Sequence, residues 1–335
     1  MKIISTFSVL QKPKNISKKQ IFASIFVLFL IALIVIMPSL CINSIYNGLS
    51  VWAKCVLPSL LPFMFFTKLL TSLQFISTIT SKFYKVNCKL FNAPKISSYI
   101  FFMSIISGYP VGAKLISEYY KMGFLTPKQA NKLCTFCSTS GPLFVIGTVG
   151  TSLFLNTKIG YIMFFSHIAS SLLNGLLFRR TFIDNTNLDY NLQNPDTKNL
   201  LFDSMKESIL SVLLVGGYIA VAFLIIDVFN ALNILYPINF LLQILGLNIN
   251  TAQATSSGII EVSKGCVLLA KLDIALTAKA TIASFLIGFG GISVFLQTTT
   301  FLQSAKVNLK FYALQKLTHG IISAILTFLI CLIFV

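Results

Sequence analysis

Long apolar stretches, separated by short polar connections, run through the whole chain. A stretch of about 20 apolar residues is long enough to cross the hydrocarbon core of a membrane as a helix. The stretches lie near residues 21–40, 48–75, 98–120, 133–155, 159–178, 208–232, 236–246, 253–271, 274–302 and 312–335. The pattern therefore predicts an all-α polytopic membrane protein.

Basic residues mark the connections that we expect in the cytoplasm, because Lys and Arg are enriched in cytoplasmic loops. They form four groups after the basic N-terminal segment: Lys82, Lys85, Lys89 and Lys95; Lys121, Lys128 and Lys132; Arg179 and Arg180; and Lys306, Lys310 and Lys316. The connections near 41–47, 156–158 and 233–252 are almost free of charge, as external loops should be. The N-terminus is therefore predicted to be cytoplasmic.

These assignments divide the chain into two similar halves. The predicted parts are a basic cytoplasmic N-terminus at 1–20, a first transmembrane helix at 21–40, repeat A at 46–179 with a re-entrant hairpin at 98–120, a cytoplasmic linker at 180–206, and repeat B at 207–335 with a hairpin at 253–271. Each half has three crossings and one hairpin. Because three is odd, the halves insert with opposite orientation, which is the inverted-repeat plan of many secondary transporters.

Cysteine labelling tests this topology. A cysteine placed at position 248 is expected to react with a membrane-impermeant reagent added from outside, because 233–252 is predicted to be external. A cysteine at position 190, in the predicted cytoplasmic linker, is expected to be protected. Labelling at position 190 alone would overturn the inverted-repeat arrangement.

The composition and the motifs present exclude several classes of function. The chain is 56% hydrophobic and 10% charged, whereas soluble domains carry about 25% charged residues. The net charge is +17. The basic residues lie between the apolar stretches and do not form one charged face, so we predict no nucleic-acid partner. Cys134 and Cys137 form the only C-x-x-C pair and lack the further ligands of a metal site, so they are predicted to be packing residues. No hydrolase, kinase or metalloprotease motif is present, and we predict neither an enzyme nor a cofactor.

One motif, a Ser-Gly pair followed by a lysine, occurs in both halves. The first copy contains Ser107, Gly108 and Lys114, and the second contains Ser257, Gly258 and Lys264. A helix that starts after such a breaker presents unpaired N–H groups and the positive end of its dipole. A lysine buried in a membrane is costly and is a functional candidate. The motif predicts two half-sites that each bind one anionic group of the same solute. In the alternative, each lysine extends to the membrane interface.

A second breaker follows the first in each half and adds candidate substrate-binding residues. An unwound helix at these places would offer hydroxyl, amide and backbone groups, although small residues also permit close helix packing. The candidates are Ser138, Thr139, Ser140 and Gly141 in the first half, and Gly291, Ser293 and Gln297 in the second.

Three further ionisable residues fall in the predicted membrane segments. Glu261 is a candidate for binding a coupling proton or sodium ion, and it could equally pair with Lys264. His167 and His319, the only histidines, lie at similar places in the last helix of each half. We predict that the histidines are hydrogen-bonded structural residues.

The run SGYPVGAKLISEYYKMGFLTPKQANKLCTFCSTSGPLFVIGTVG at 107–150 resembles the sporulation integral membrane proteins of YlbJ type, within the Gate or nucleoside-recognition group. The resemblance extends more loosely over 46–335 and includes GFGGISVFLQ at 288–297. In the family, an amide residue is expected before the SGP motif, where this chain has Ser138 and Thr139.

The resemblance implies a fold similar to that of concentrative nucleoside transporters. It also implies transport of dipicolinic acid, a planar pyridine dicarboxylate dianion, from the mother cell across the outer forespore membrane during sporulation. The partners expected are this small molecule and the lipid bilayer.

Two other functions stay open. A transporter of nucleosides or another neutral solute would depend on residues 138–140 and Gln297, with the lysines structural. A non-transporting membrane scaffold for spore assembly would tolerate changes at both sets. A dianion transporter would lose function when Lys114 or Lys264 is neutralised.

Overall fold

The computed structural model describes residues 17–72, 82–184, 186 and 199–334. Most of the predicted N-terminal segment 1–20 and about half of the predicted linker 180–206 lie outside these residues. The described residues form helices and connections, with no strand among them. The chain divides into two compact units, Met1–Asn43 and Ser44–Val335.

The helices of the first half begin before the boundary between the units and run to residue 177. In chain order they are α1 (Lys18–Ile36), α2 (Pro38–Val51), the π-helix π1 (Trp52–Val56), α3 (Leu57–Ser72), α4 (Tyr84–Phe91), α5 (Ser97–Ser107), α6 (Val111–Lys121), α7 (Pro127–Cys134), the π-helix π2 (Leu143–Leu153) and α8 (Thr157–Leu177).

The helices of the second half follow the predicted linker. They are α9 (Leu200–Ala231), α10 (Tyr236–Ile244), α11 (Ile249–Ile260), α12 (Val262–Lys271), α13 (Leu276–Phe289), α14 (Gly291–Leu302) and α15 (Leu309–Phe334).

Four helical segments of the described residues are long and apolar enough to cross a membrane, and the prediction of a polytopic membrane protein is confirmed. They are Thr157–Leu177, Leu200–Ala231, Leu276–Leu302 and Leu309–Phe334. A bent pair, Gln20–Ile36 with Pro38–Val56, makes a fifth if it is counted as one span.

The first helix starts where its capping residues place it. The Ser17 hydroxyl accepts a hydrogen bond from the Gln20 amide, and the Gln20 side chain accepts one from the Ser17 amide. This capping box satisfies two N–H groups that the first helical turn leaves unpaired. Helix α1 ends at Ile36, four residues before the predicted boundary. The predicted connection at 41–47 is wrong, because these residues are helical within Pro38–Val51.

The predicted hairpin in the first half is a pair of helices joined by a tight turn. Helix α5 ends at Ser107, and α6 begins at Val111. Between them, Gly108 has φ 71° and ψ −166°, a combination that essentially only glycine adopts. The Tyr109–Pro110 peptide bond is cis. The prediction of a turn at the Ser-Gly pair is confirmed here.

The hairpin in the second half turns at a different residue from the one predicted. Ser257 and Gly258 lie inside α11, and the break falls at Glu261, whose backbone is extended. A Cβ atom on Gly258 would lie 2.3 Å from the Leu286 Cδ1 atom, and one on Gly265 would lie 2.4 Å from the Gly258 Cα atom. Gly258 therefore permits close packing between α11 and α12 and does not break the helix.

A broken helix follows each hairpin, as predicted. In the first half, α7 ends at Cys134 and π2 begins at Leu143, with a non-helical stretch that contains Ser138–Gly141 between them. In the second half, α13 ends at Phe289 and α14 begins at Gly291. Gly290 has φ 86° and Gly291 has φ 69° at this break. These positive φ values favour glycine, which has no Cβ atom.

The element order of the two halves is therefore the same. A hairpin, a broken helix and a long final helix occur as α5–α6, α7–π2 and α8, and again as α11–α12, α13–α14 and α15. The apolar core joins the halves, because one cluster combines the first hairpin with Leu302 and Tyr312, and a second combines Val145 and Ile159 with the second hairpin. The opposite membrane orientation of the halves stays a prediction.

Candidate functional site

A cavity of about 620 Å³ lies where the two hairpins and the two broken helices meet. Its polar lining comes from both halves, and its other walls are apolar residues of π1, α3 and α9. The lining residues are Val56, Leu60, Ser107, Gly108, Tyr109, Ser140, Gly141, Phe144, Val215, Ile219, Glu261, Val262, Ser263, Ile287, Val294 and Gln297. We call it the central cavity.

Glycines allow the backbone segments around the central cavity to approach each other. A Cβ atom on Gly108 would lie 2.4 Å from the Gly141 nitrogen, so the tip of the first hairpin touches the break of the same half. In the second half, a Cβ atom on Gly291 would lie 3.2 Å from the carbonyl oxygens of Gly258 and Ile260. Each hairpin tip is thus seated on the broken helix that follows it.

Six of the predicted site residues line the central cavity. They are Ser107, Gly108, Ser140, Gly141, Glu261 and Gln297. They come from segments that are far apart in sequence, and the fold brings them together at one place.

Four other predicted residues lie behind this lining. The Ser138 hydroxyl is 2.8 Å from the Tyr312 hydroxyl, and the Thr139 hydroxyl donates to the Ser104 hydroxyl at 3.3 Å. The Gln297 amide nitrogen donates to the Ser293 hydroxyl at 3.3 Å. Gly291, the fourth, packs against the second hairpin as described above. These contacts position the lining residues.

Lys114 does not line the central cavity. Its ammonium group lies 3.1 Å from the Glu207 Oε2 atom and 3.9 Å from the Glu118 Oε1 atom. The same Glu207 oxygen is 2.8 Å from the Lys68 ammonium group. This cluster lines a second cavity, of about 550 Å³, which shares Ser107 with the central cavity.

Lys264 also lies outside the central cavity and also has a carboxylate partner. Its ammonium group is 2.5 Å from the Asp227 Oδ1 atom and 3.3 Å from the Phe223 carbonyl oxygen. Ser257 and Lys264 line a further cavity of about 1180 Å³. Contact between a solute and either hairpin lysine would require these ion pairs to open.

Both hairpin lysines therefore pair with carboxylates of the same helix. Glu207 and Asp227 lie near opposite ends of α9, and 20 residues of α-helix span about 30 Å. Sequence analysis missed these acids as partners because they are 93 and 37 residues away from the lysines they bind.

Glu261 lines the central cavity and caps a helix at the same time. Its Oε1 atom accepts hydrogen bonds from the Ser263 amide at 2.9 Å and the Ser263 hydroxyl at 2.5 Å. The N-terminal cap of α12 is therefore this carboxylate. The alternative of a Glu261–Lys264 pair is wrong, since Lys264 binds Asp227. A role of Glu261 in binding a coupling ion stays a prediction.

Sequence analysis missed Lys316 and placed it in a cytoplasmic connection. It lies instead inside α15, with 3% of its surface exposed. Its ammonium group is 2.5 Å from the Tyr109 hydroxyl and 3.0 Å from the Ser138 carbonyl oxygen. The signal that could have found it is the polar spacing of Gln315, Lys316 and His319, which places them within about one turn of an apolar helix.

The two histidines meet behind the first helix break. The His167 Nε2 atom accepts a hydrogen bond from the Ser140 amide at 2.8 Å. The His167 and His319 rings stack with their centroids 4.6 Å apart. His167 thus satisfies a backbone group that the break leaves unpaired, which is the structural role expected of it.

No group of three or more His, Cys, Asp or Glu side chains that could hold a metal ion occurs in the described part of the chain. Cys134 and Cys137 are free and buried. Both belong to the apolar cluster of the first hairpin, in agreement with the predicted packing role.

The chain is similar in sequence to the sporulation integral membrane protein YlbJ of Bacillus subtilis (strain 168). The two are 26% identical over 349 residues, which cover 94% of this chain and 84% of the relative. The resemblance noted in the sequence is thereby confirmed. No protein-family profile matches the chain.

Solved structures of the concentrative nucleoside transporter CNTnw have a similar fold. An outward-facing variant matches with a TM-score of 0.53 at 15% identity and covers 92% of this chain and 85% of its own. An inward-facing, substrate-bound structure matches with a TM-score of 0.53 at 14% identity over the same shares. The chain is therefore a helical membrane protein similar to a sporulation integral membrane protein, with the fold of the concentrative nucleoside transporters.

Proposed function

We propose that this protein is a membrane transporter that carries a small solute with anionic groups through the central cavity. The observation that carries the proposal is the meeting of both hairpin tips and both helix breaks at one cavity. Broken helices at such a meeting point are the usual substrate sites of secondary transporters.

Helix ends around the central cavity favour negative charge. Helices α6 and π2 begin shortly after the lining residues Tyr109 and Gly141, and neither helix has a side-chain cap. Uncapped N-termini offer unpaired N–H groups and the positive end of the helix dipole to an anion. Both ends belong to the first half, so they favour an anionic group on that side of the cavity.

Dipicolinic acid is the solute that we propose. It is a planar dianion, it is a product of sporulating cells, and the relative in Bacillus subtilis is named a sporulation protein. In this proposal, the chain lies in the outer forespore membrane with its N-terminus in the cytoplasm of the mother cell, and it moves dipicolinate toward the forespore.

One feature favours a neutral solute instead. Glu261 is the only ionisable carboxylate among the lining residues of the central cavity. A carboxylate repels a dianion and accepts hydrogen bonds from hydroxyl groups, such as those of a nucleoside. A nucleoside transporter is therefore the second candidate, in keeping with the fold.

Uptake of labelled dipicolinate and labelled nucleosides into proteoliposomes that contain the purified chain decides between them. We expect the protein to take up dipicolinate, and Glu261→Gln to leave this uptake unchanged or raise it, because the amide removes a like charge and keeps an oxygen that can accept from Ser263. Glu118→Gln, at a carboxylate outside the central cavity, is the matched control. Uptake of nucleosides alone, with a loss in Glu261→Gln, would establish the second candidate, and uptake of neither would favour a scaffold.

A further inference from the structure

Lys316 is a buried lysine whose contacts join the two halves. Besides the Tyr109 hydroxyl and the Ser138 carbonyl, its ammonium group approaches the His319 Nδ1 atom at 3.5 Å. It also lies 4.5 Å from the centroid of the Tyr109 ring, as in a cation–π contact. All of these partners are uncharged or can be uncharged, and none of them is a carboxylate.

Three lysines are buried among the described residues: Lys264, which pairs with a carboxylate, and Lys132 and Lys316, which do not. Lys132 donates to the carbonyl oxygens of Phe178 and Arg179, away from the central cavity. Within the described residues, the carboxylates that form ion pairs bind Lys68, Lys114 and Lys264, and Lys316 takes part in none of these pairs. A buried ammonium group without a counterion is costly. It also keeps its attraction for an anion, because little water is present to screen it.

Lys316 lies directly behind the wall of the central cavity. Tyr109, which accepts its hydrogen bond, lines the cavity, and so do Ser140 and Gly141, just after Ser138 in the chain. The Tyr109 hydroxyl donates in turn to the Ile287 carbonyl oxygen at 3.3 Å, and Ile287 also lines the cavity. One side chain therefore separates the ammonium group from the solute space.

The charge of Lys316 also offsets that of Glu261. Glu261 carries the only carboxylate among the lining residues, and by itself it would oppose an anion. A positive charge at Lys316, together with the uncapped helix ends, acts in the opposite sense and favours an anion in the cavity.

We propose that Lys316 is a specificity-determining residue, which gives the central cavity its preference for solutes with anionic groups and acts through Tyr109. The inference rests on the proposed function and names the residue that sets the charge of the substrate. It requires no contact between Lys316 and the solute.

A pair of probes that differ in charge tests the inference on the full-length protein in detergent. The probes are dipicolinate and its neutral diamide, which has nearly the same shape. Binding is followed by the fluorescence of the only tryptophan, Trp52, which packs on Gly216 of α9 beside Val215 of the cavity lining. The ratio of the two affinities does not depend on the amount of folded protein.

Lys316→Met is expected to weaken dipicolinate binding about tenfold or more and to change diamide binding much less. Lys316→Arg, which keeps the charge, should preserve the preference for the dianion. Adding Glu261→Gln to Lys316→Met should restore part of the dipicolinate binding, because it removes the unbalanced negative charge. Equal losses for both probes, or an unchanged ratio, would show that Lys316 is only structural and would refute the inference.

If Lys316→Met does not fold, a second variant, Tyr109→Phe, tests the same inference. Tyr109→Phe removes the hydroxyl that accepts from Lys316 and keeps the ring, so it should lower the same ratio in the same direction. An unchanged ratio in Tyr109→Phe would contradict the inference. Uptake of both probes is measured separately. If dipicolinate binds with the preference set by Lys316 but is not taken up, the proposed transport is refuted and the role of Lys316 is not. If both probes are taken up equally, the charge preference is refuted and transport is not.

Discussion

Replacing Gly108 with valine is expected to reduce uptake by more than about tenfold, a factor that corresponds to about 1.4 kcal/mol. The first reason is the backbone, since φ 71° with ψ −166° is open to glycine and strained for a β-branched residue. The second reason is space, because a Cβ atom would lie 2.4 Å from the Gly141 nitrogen. Valine must therefore push the hairpin tip away from the helix break and open the lining of the central cavity.

Gly123→Val is the matched control for this prediction. Gly123 also has a positive φ, 79°, but nothing lies within 4 Å of the Cβ atom that a substitution would add. A valine there also meets an unfavourable positive φ, but it makes no new close contact. Uptake per amount of protein in the membrane, measured in proteoliposomes, should fall in Gly108→Val and stay near normal in Gly123→Val. Normal uptake in Gly108→Val would show that the hairpin tip does not form the transport site.

Removing the carboxylate that binds Lys264 is expected to destabilise the protein. The Lys264 side chain is 9% exposed and its partner Asp227 is 31% exposed, with 2.5 Å between the charged atoms. Asp227→Asn leaves a buried ammonium group without its counterion, and a hydrogen bond to a charged group contributes about 1.5–3 kcal/mol. We expect the free energy of unfolding to fall by about 2 kcal/mol. Thermal unfolding in detergent measures the change.

The ion pair at the other end of α9 provides the comparison. Glu207 is 44% exposed and binds Lys68 and Lys114, which are 33% and 30% exposed. Exposed ion pairs contribute only about 0–1 kcal/mol because water and salt screen them. Glu207→Gln should therefore cost less than Asp227→Asn. The variant Asp227→Asn with Lys264→Met should recover stability, because it removes both charges. A larger loss in Glu207→Gln than in Asp227→Asn would contradict this assignment.

Local sequence signals predicted the architecture well where backbone chemistry alone decides it. The turn at Gly108 and the breaks near Gly141 and Gly290 follow from glycine and proline, whose conformational limits act within a few residues. The second hairpin shows how far such signals reach. Glycine often interrupts helices, yet Gly258 lies inside a helix. Its missing side chain makes room for Gly265 and Leu286. The turn lies at Glu261 and not at the predicted Ser-Gly pair, and the Glu261 carboxylate caps the next helix.

The sequence by itself determined that the chain is a helical membrane protein with a repeated order of hairpin, broken helix and long helix, because apolar length and helix breakers are local properties. Only the tertiary structure decided which charges belong to the central cavity. Lys114 and Lys264 pair with Glu207 and Asp227, and Lys316 reaches Tyr109 across 207 residues of chain. Whether a buried charge faces a solute or a counterion depends on neighbours brought together by packing, and a single sequence does not record them.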